Sequence, residues 1–341
     1  MRPSFFHHLH PPTIPAPQAR LRHTLGAGGL SVFLVLVLIA TGLLEMFFYV
    51  PTPEQAALSI QTITFLVPFG GLIRNLHYWA AQLLVAVAGL HWVRVVFTGA
   101  FIPPRRFNYL LGLCLLVLVL VLDFSGYVLR WDEGIHWALV SGTNLLKTIP
   151  LAGNWLYGAV VGGSRPGPDT LIRFYAWHVF GLTLPLVILG GWHLFRVRRD
   201  GGIAAPPPGA RTHPGRISRI ELVRREALAA LLASALLLAL AALVRAPLAP
   251  PIGQPGSLSD GARAPWFFLW VQQLLKWGNP LWMGVVIPLA LLTLLAALPY
   301  LFPRLPPEQL GRWFPPAGRI SQVIVALLFL FLFSLSLLAL K

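Results

Sequence analysis

Charge is scarce in this chain. Of its 341 residues only 11% are Asp, Glu, Lys or Arg, against roughly 25% in ordinary soluble domains. That scarcity excludes a soluble enzyme, a disordered tail and a nucleic-acid binder. Acid is scarcer still: 11 Asp and Glu stand against 26 Lys and Arg, a net charge of +15. Cysteine is nearly absent. One thiol, Cys114, cannot form an internal disulfide, a Cys-rich zinc site, an iron–sulfur cluster or a Cys-x-x-Cys-His haem attachment. It sits in an apolar run and reads as a small core residue. Residues Met1–Arg22 lack an apolar core with a cleavage site, so no signal peptide is expected and the first span directs insertion. No internal repeat and no β-barrel alternation are found.

What the chain has is apolar length: 56% of residues are hydrophobic and the mean hydropathy is +0.72. A bilayer core needs roughly 20 apolar helical residues. Seven stretches serve, at about Gly28–Tyr49, Arg74–Phe97, Tyr109–Leu129, Leu171–Val197, Glu226–Val244, Leu281–Leu301 and Ile320–Leu340. The expected fold is an all-α membrane protein. With the N-terminus inside, the inner segments hold 17 of the 26 Lys and Arg and the outer segments the other 9. This asymmetry predicts a cytoplasmic N-terminus and a C-terminus outside. The Gly- and Pro-rich basic stretch 201–225 reads as a linker. It divides a cytoplasmic tail (1–25) and a four-helix module (26–200) from a three-helix module (226–341). The long loop after the third span is functional in character, and Asp132–Leu146 in it suits a helix lying on the bilayer surface.

Polar residues inside spans are costly and usually functional. Six of the ten histidines fall in tails or loops: His7, His8, His10, His23, His136 and His213. The cluster His7, His8 and His10 reads as a solvated tail rather than a metal site. Four histidines fall in spans. His77 and His91 are 14 residues apart on the second, His178 and His193 are 15 apart on the fourth. Each spacing is close to four helical turns. It puts two imidazoles on one face, at an outer depth (His77, His178) and an inner depth (His91, His193). Pro185 between the second pair is expected to kink its helix and absorb the extra residue. A lone intramembrane histidine is more often packed and hydrogen-bonded, or part of a proton path. Four histidines matched in depth favour axial ligation of two haem irons inside a bundle.

Two further patterns run alongside. Gly28 and Gly42 in the first span, and Gly112 and Gly126 in the third, are each 14 apart and fall at the histidine depths. Small-residue helix packing explains any one of them. Together they suit close approach of backbone to a flat macrocycle. Arg74 lies one turn before His77 and Arg94 one turn after His91, each toward the nearest surface. They suit haem propionates or interfacial snorkelling.

These residues resemble the cytochrome b family of bc-type quinol oxidoreductase complexes. The likeness is carried by Leu72-Ile73-Arg74-Asn75-Leu76-His77, Leu90-His91-Trp92-Val93-Arg94, Ala40-Thr41-Gly42 and Phe48-Tyr49-Val50-Pro51-Thr52. It continues in Gly126-Tyr127-Val128-Leu129-Arg130-Trp131-Asp132 and Arg173-Phe174-Tyr175-Ala176-Trp177-His178. It is specific over about 24–200; over 226–341 it rests on three helices and Ala264-Pro265-Trp266-Phe267-Phe268-Leu269. The 15-residue spacing is similar to the chloroplast-type branch, in which the two modules are separate chains; here they look fused. The resemblance implies two b haems, an outer one on His77 and His178 and an inner one on His91 and His193. It implies an outer quinol site and an inner quinone site. It also implies a Rieske-type iron–sulfur partner with a c-type cytochrome, a homodimeric complex and a bacterial-type inner membrane. No nucleic acid is involved.

Three departures stand out. The family's Pro-Glu-Trp-Tyr motif at the quinol site aligns with Ala264-Pro265-Trp266-Phe267, so Pro265 replaces the glutamate taken to accept a proton. Its Leu-Pro-Trp reads Leu129-Arg130-Trp131. The cysteine that tethers an extra haem in the chloroplast branch aligns with Gly26, so no covalent haem is expected. Two acids in spans, Glu45 and Asp123, lie near the outer depth. One of them is expected to accept the quinol proton, and Glu45, with Trp266 beside the site, is the candidate chosen; pairing with Arg or interfacial water is the competing explanation. The function expected is electron transfer across the membrane by a di-haem subunit of a quinol oxidoreductase. The alternatives are a di-haem anchor passing electrons linearly to a partner, and a haem-free transporter with histidines in a proton path.

Overall fold

Seven helices long and apolar enough to cross a membrane carry the described chain. In this computed structural model the described residues are 12–16, 20–200, 215–252, 263–301, 305–306, 309 and 312–341. His7, His8, His10, His213 and the first part of the expected linker, 201–214, lie outside them. The chain is an all-α, multi-pass membrane protein with one short ribbon. Strand β1 (Thr13–Pro15) pairs antiparallel with β2 (Arg216–Ser218), Thr13 opposite Ser218. Helices α1 (Leu21–Thr24), α2 (Ala27–Met46), α3 (Ala56–Phe65), α4 (Gly70–Phe97) and α5 (Arg106–Leu129) follow β1 in order. The loop after α5 folds into α6 (Glu133–Lys147) and α7 (Gly153–Val161). The fourth span is α8 (Pro168–Ala176), a π-helical turn (Trp177–Gly181) and α9 (Thr183–Arg199). The C-terminal part has α10 (Arg219–Leu243), a 3-10 turn (Trp266–Phe268), α11 (Leu269–Leu275), a π segment (Leu281–Val286), α12 (Ile287–Leu301) and α13 (Arg319–Ala339).

The π turn answers the 15-residue spacing. The Leu182 N–H donates to the Trp177 carbonyl at 2.7 Å, five residues back. The Thr183 hydroxyl donates to the His178 carbonyl at 2.5 Å. Pro185 has no N–H to offer the Gly181 carbonyl four residues back. A π turn holds one extra residue without extending the helix by a full step. The absorption expected at Pro185 thus takes place in the turn just before it, and His178 belongs to that turn.

Helix α4 starts a turn earlier than hydropathy predicts, because its polar first turns are buried against the end of α10. Arg74 donates to the carbonyls of Ala246 (3.3 Å) and Pro247 (2.6 Å). The Asn75 side chain donates to Ala241 O at 2.8 Å and accepts from Ala246 N at 2.9 Å. Trp79 Nε1 donates to Val244 O at 2.8 Å. The last carbonyls of a helix lack intrahelical partners; Asn75 supplies one at Ala241, and Trp79 and Arg74 bond carbonyls of the chain just past the end of α10. The same edge is clamped by Asp132, which pairs with Arg130 at 2.8 Å and accepts from Ala249 N at 3.2 Å. Arg130, the departure in the Leu-Arg-Trp segment, is thereby tied to this joint between the two halves.

Cys114 is exposed, not a core residue. Gly112, two residues before it, faces His193. Two residues on a helix are about 200° apart, so the thiol lies on the outer face of the bundle.

Candidate functional site

The four span histidines meet in two pairs. The rings of His77 (α4) and His178 (π turn) have centres 6.3 Å apart and planes at 61°. Those of His91 (α4) and His193 (α9) are 6.4 Å apart at 81°. Two metal–imidazole bonds of about 2.0 Å plus two ring radii of about 1.15 Å place axial ligands of one metal about 6.3 Å apart. Both pairs fit that separation. Among the described residues no cluster of three or more His, Cys, Asp or Glu forms. A bare ion would find two protein ligands at each depth; a porphyrin, which brings its own four nitrogens, needs only two. The donor set fits haem.

The glycines have a closer task than backbone approach to a macrocycle. A Cβ at Gly42 would stand 3.1 Å from His77 Cε1, one at Gly126 3.0 Å from His178 Cε1. At Gly112 the distance to His193 Cε1 is 3.1 Å and at Gly28 to His91 Cε1 3.5 Å. Each histidine ring lies flush against a glycine of the neighbouring helix.

Sequence reasoning missed two hydroxyls that direct the rings of the first pair. Thr41 Oγ1 is 2.9 Å from His77 Nδ1 and Ser125 Oγ 2.8 Å from His178 Nδ1. Both hydroxyl protons are already spent on helix carbonyls, Thr41 to Val37 O at 2.7 Å and Ser125 to Leu122 O at 2.7 Å. Each oxygen therefore accepts, each Nδ1–H donates, and each Nε2 is left with its lone pair for a ligand. The signal was available: each hydroxyl residue immediately precedes a glycine, as Thr41-Gly42 and Ser125-Gly126. Gly28 and Gly112 follow Ala27 and Leu111 instead. Accordingly His91 Nδ1 and His193 Nδ1 are buried without a partner in hydrogen-bond geometry, His193 lying near the Asn108 backbone.

Midway between the pairs, Leu34, Leu84, Val85, Val119 and Leu186 belong to one buried apolar cluster, which Phe267 joins from the C-terminal part. At the first pair the helices leave a cleft of about 250 Å³. His77, His178, Gly42, Gly126, Arg74, Arg130, Glu45 and Asp123 border it. Tyr49 and Tyr175 stack beside it with centres 5.6 Å apart.

The two arginines chosen for propionates are engaged with protein atoms. Arg74 borders the cleft while holding the end of α10. Arg94 is 1% exposed; its Nε donates to His23 O at 3.0 Å and one terminal nitrogen to His23 Nε2 at 2.9 Å. His23, read from sequence as a tail residue, is buried under α4. Burial first, then Arg94 and Arg20, hold its pKa at about 4, down from 6.5. Above 6.5 the ring is neutral folded or unfolded and the contact is complete. As pH falls from 6.5 toward 4 the unfolded state takes up the proton first, so stability is lost in that window. Purified protein should therefore show a falling melting temperature and faster N-terminal proteolysis between pH 6.5 and pH 4. His23→Gln should flatten that slope.

The acids separate. Glu45 Oε1 is buried without a partner. Asp123 accepts from Gln82 Nε2 at 3.2 Å on both oxygens. Gln82 Oε1 in turn accepts from Trp266 Nε1 at 2.8 Å. Trp266 is thus joined to Asp123, across more than 140 residues of sequence, by one amide.

The chain is similar to known proteins in sequence and in fold. Residues 14–201 match the family model described as Cytochrome b/b6/petB. Cytochrome b6 of Heliomicrobium gestii is 38% identical over 187 residues, which cover 55% of this chain and 88% of that protein. Cytochrome b6 of Heliobacterium mobile is 42% identical over 189 residues, with the same shares. That of Euglena gracilis is 36% identical over 174 residues, 51% of this chain and 81% of its own. A chain of a solved structure titled "Hyperthermophilic respiratory Complex III" superposes with a TM-score of 0.73 at 21% identity, covering 96% of this chain and 92% of that chain. At that identity the likeness is one of fold, and it extends through the C-terminal helices.

Proposed function

Since the chain belongs to the cytochrome b family, we propose that it holds two b haems and moves electrons across the membrane between two quinone-type sites. Family membership makes it the membrane-embedded, haem b-carrying subunit of an oxidoreductase complex with quinone and other redox subunits. The finer reading rests above all on the two histidine pairs at axial-ligand separation. His77 and His178 would hold the outer haem, His91 and His193 the inner one. When bound, haem supplies reversible one-electron chemistry at its iron.

The rest of the work falls to side chains. Thr41 and Ser125 fix the outer imidazoles in the tautomer that ligates. The four glycines let the rings sit against the facing helix. Arg74 and Arg94 put positive charge one turn from each pair, toward each membrane surface, where propionates would need it. The apolar layer around Leu84 and Val119 keeps water and protons from following electrons between depths. Glu45, Asp123 and Trp266 belong to the outer side, where quinol oxidation must release protons. The N-terminus lies in the cytoplasm and the C-terminus outside, in a bacterial-type inner membrane. A Rieske-type iron–sulfur protein and a c-type cytochrome complete the complex, which is a homodimer. The haems are held without a covalent thioether link.

One observation favours a linear wire instead of bifurcation: Pro265 stands where the family has its glutamate. The deciding experiment is an oxidant pulse on the purified, quinol-supplied complex while the haem b α-band is recorded. Transient reduction on adding oxidant means bifurcation at the outer site. Simple oxidation means the linear anchor, and absence of any haem b band refutes both. A finer check concerns the hydroxyls. Thr41→Val and Ser125→Ala should each weaken retention of the outer haem about 10–100-fold, as loss of a partner behind a metal ligand does. Haem transfer to an apo-globin acceptor measures it, with the inner haem as internal standard.

A further inference from the structure

Pro265 stands where the resembled motif has a glutamate, and the geometry offers one carboxylate joined to the same segment. We propose that Asp123 is the carboxylate that accepts the quinol proton, coupled to the Ala264–Phe268 segment through Gln82 and Trp266. This deepens the proposed quinol chemistry and rests on it.

Asp123 is 8% exposed, inside an apolar span and six residues from its outer end. Its hydrogen-bond partner is the neutral Gln82 amide, and no ion pair to it occurs among the described residues. A carboxylate so placed is costly unless a cation or function offsets it. Structural need alone does not explain it, because an apolar residue would sit in this apolar span at less cost. Position supplies the function. Asp123 borders the cleft of the outer histidines and is also hydrogen-bonded, through Gln82, to Trp266. Glu45 borders the same cleft, but its Oε1 has no hydrogen-bond partner among the described residues. Gln82 donates with its nitrogen and accepts with its oxygen, so Trp266 Nε1–H fixes which way the amide points and hence that its N–H faces Asp123. Each Asp123 oxygen accepts one hydrogen bond and keeps capacity for a quinol hydroxyl. Trp266 is 48% exposed, at the open side of the network.

The step balances simply. A quinol gives up two protons and two electrons. One hydroxyl proton passes to the Asp123 carboxylate as that O–H bond breaks, and the second goes to outer water. One electron passes to the outer b haem and one to an external one-electron carrier such as an iron–sulfur protein. The charged and titratable groups that share the cleft with this acid are Glu45 of α2, Tyr49 after it, Arg74, His77 and Tyr78 of α4, Tyr127 of its own helix with Arg130 at that helix's end, Tyr175 of α8 and His178 of the π turn.

The test uses the purified complex and a decyl-chain quinol, reading the rate of haem b reduction between pH 5 and 9 together with haem content. Removal of a general base costs about 10²–10⁴-fold. Asp123→Asn should slow reduction about 100-fold with two haems retained. Asp123→Glu should restore the rate to within threefold with a displaced pH profile, and Glu45→Gln should lose at least about tenfold less rate than Asp123→Asn. A rate for Asp123→Asn within threefold of the parent overturns the assignment. So does loss of haem in both Asp123 variants, which would make the residue scaffold, and so does a Glu45→Gln loss as large as that of Asp123→Asn. A parent complex that quinol does not reduce refutes the proposed function, and this assignment falls with it.

Discussion

Replacing His178 by Leu should leave a protein with one b haem instead of two. The two histidines of α4 are 14 residues apart, about 21 Å of helix rise. A dry layer of Leu34, Leu84, Val119 and Leu186 lies between the depths. Sites so separated respond independently. His77 would keep its hydrogen bond to Thr41 but face an aliphatic side chain. Pyridine haemochrome analysis should read about one haem per chain, and quinol-driven reduction of the remaining inner haem should fall to background. His193→Leu should give the mirror result, with the outer haem retained and still reducible. Loss of both haems from either variant would show that the pairs do not act as two sites.

Gly126→Leu should cost the outer haem almost as completely, without touching a ligand. The Cβ alone would lie 3.0 Å from His178 Cε1, and the remaining side-chain atoms must enter the volume of the ring. The ring cannot yield freely, because its Nδ1 is held by Ser125 at 2.8 Å and the Leu122 carbonyl at 3.1 Å. Overpacking costs about 1–3 kcal/mol, and stripping a buried polar group of its partner about 1–3 more. Together they amount to about 30-fold at the least, and up to about 10⁴-fold, in haem affinity. The control lies in the same bundle: nothing stands within 4 Å of a Cβ at Gly190. Gly190→Leu should therefore retain both haems and bind them unchanged. Equal haem content in the two variants would remove the steric role assigned to the glycine–histidine contacts.

Much of this architecture was legible in the residues. Seven spans follow from hydropathy because a helix must be about as long as the bilayer is thick, and no partner is needed to decide it. The depth of each histidine and glycine follows from the constant rise of a helix, so His77 could be matched to Gly42 and His193 to Gly112 before any fold was known. Helix ends were less legible. Arg74 and Asn75 read as the edge of a span, yet they are buried inside its first turns, because carbonyls from α10 satisfy them. Arg94 read as a surface cation and is sealed by His23. Cys114 read as core and lies on the outer face, since hydropathy reports that a residue avoids water but not whether lipid or protein covers it.

The chemistry of individual side chains was decided only by tertiary contacts. Helical spacing put Glu45 and Asp123 one turn to either side of the outer histidines, and the sequence favoured Glu45 as the proton acceptor. The packing of α4 against α5, and of the 264–268 segment against both, joins Trp266 to Gln82 and Gln82 to Asp123 and leaves Glu45 Oε1 alone. The tautomer of His77 and His178 likewise depends on where two hydroxyl protons go. Periodicity and apolar length are one-dimensional, and a linear sequence carries them whole. A hydrogen bond is decided by angstroms between residues far apart in the chain, and only the folded bundle sets those distances.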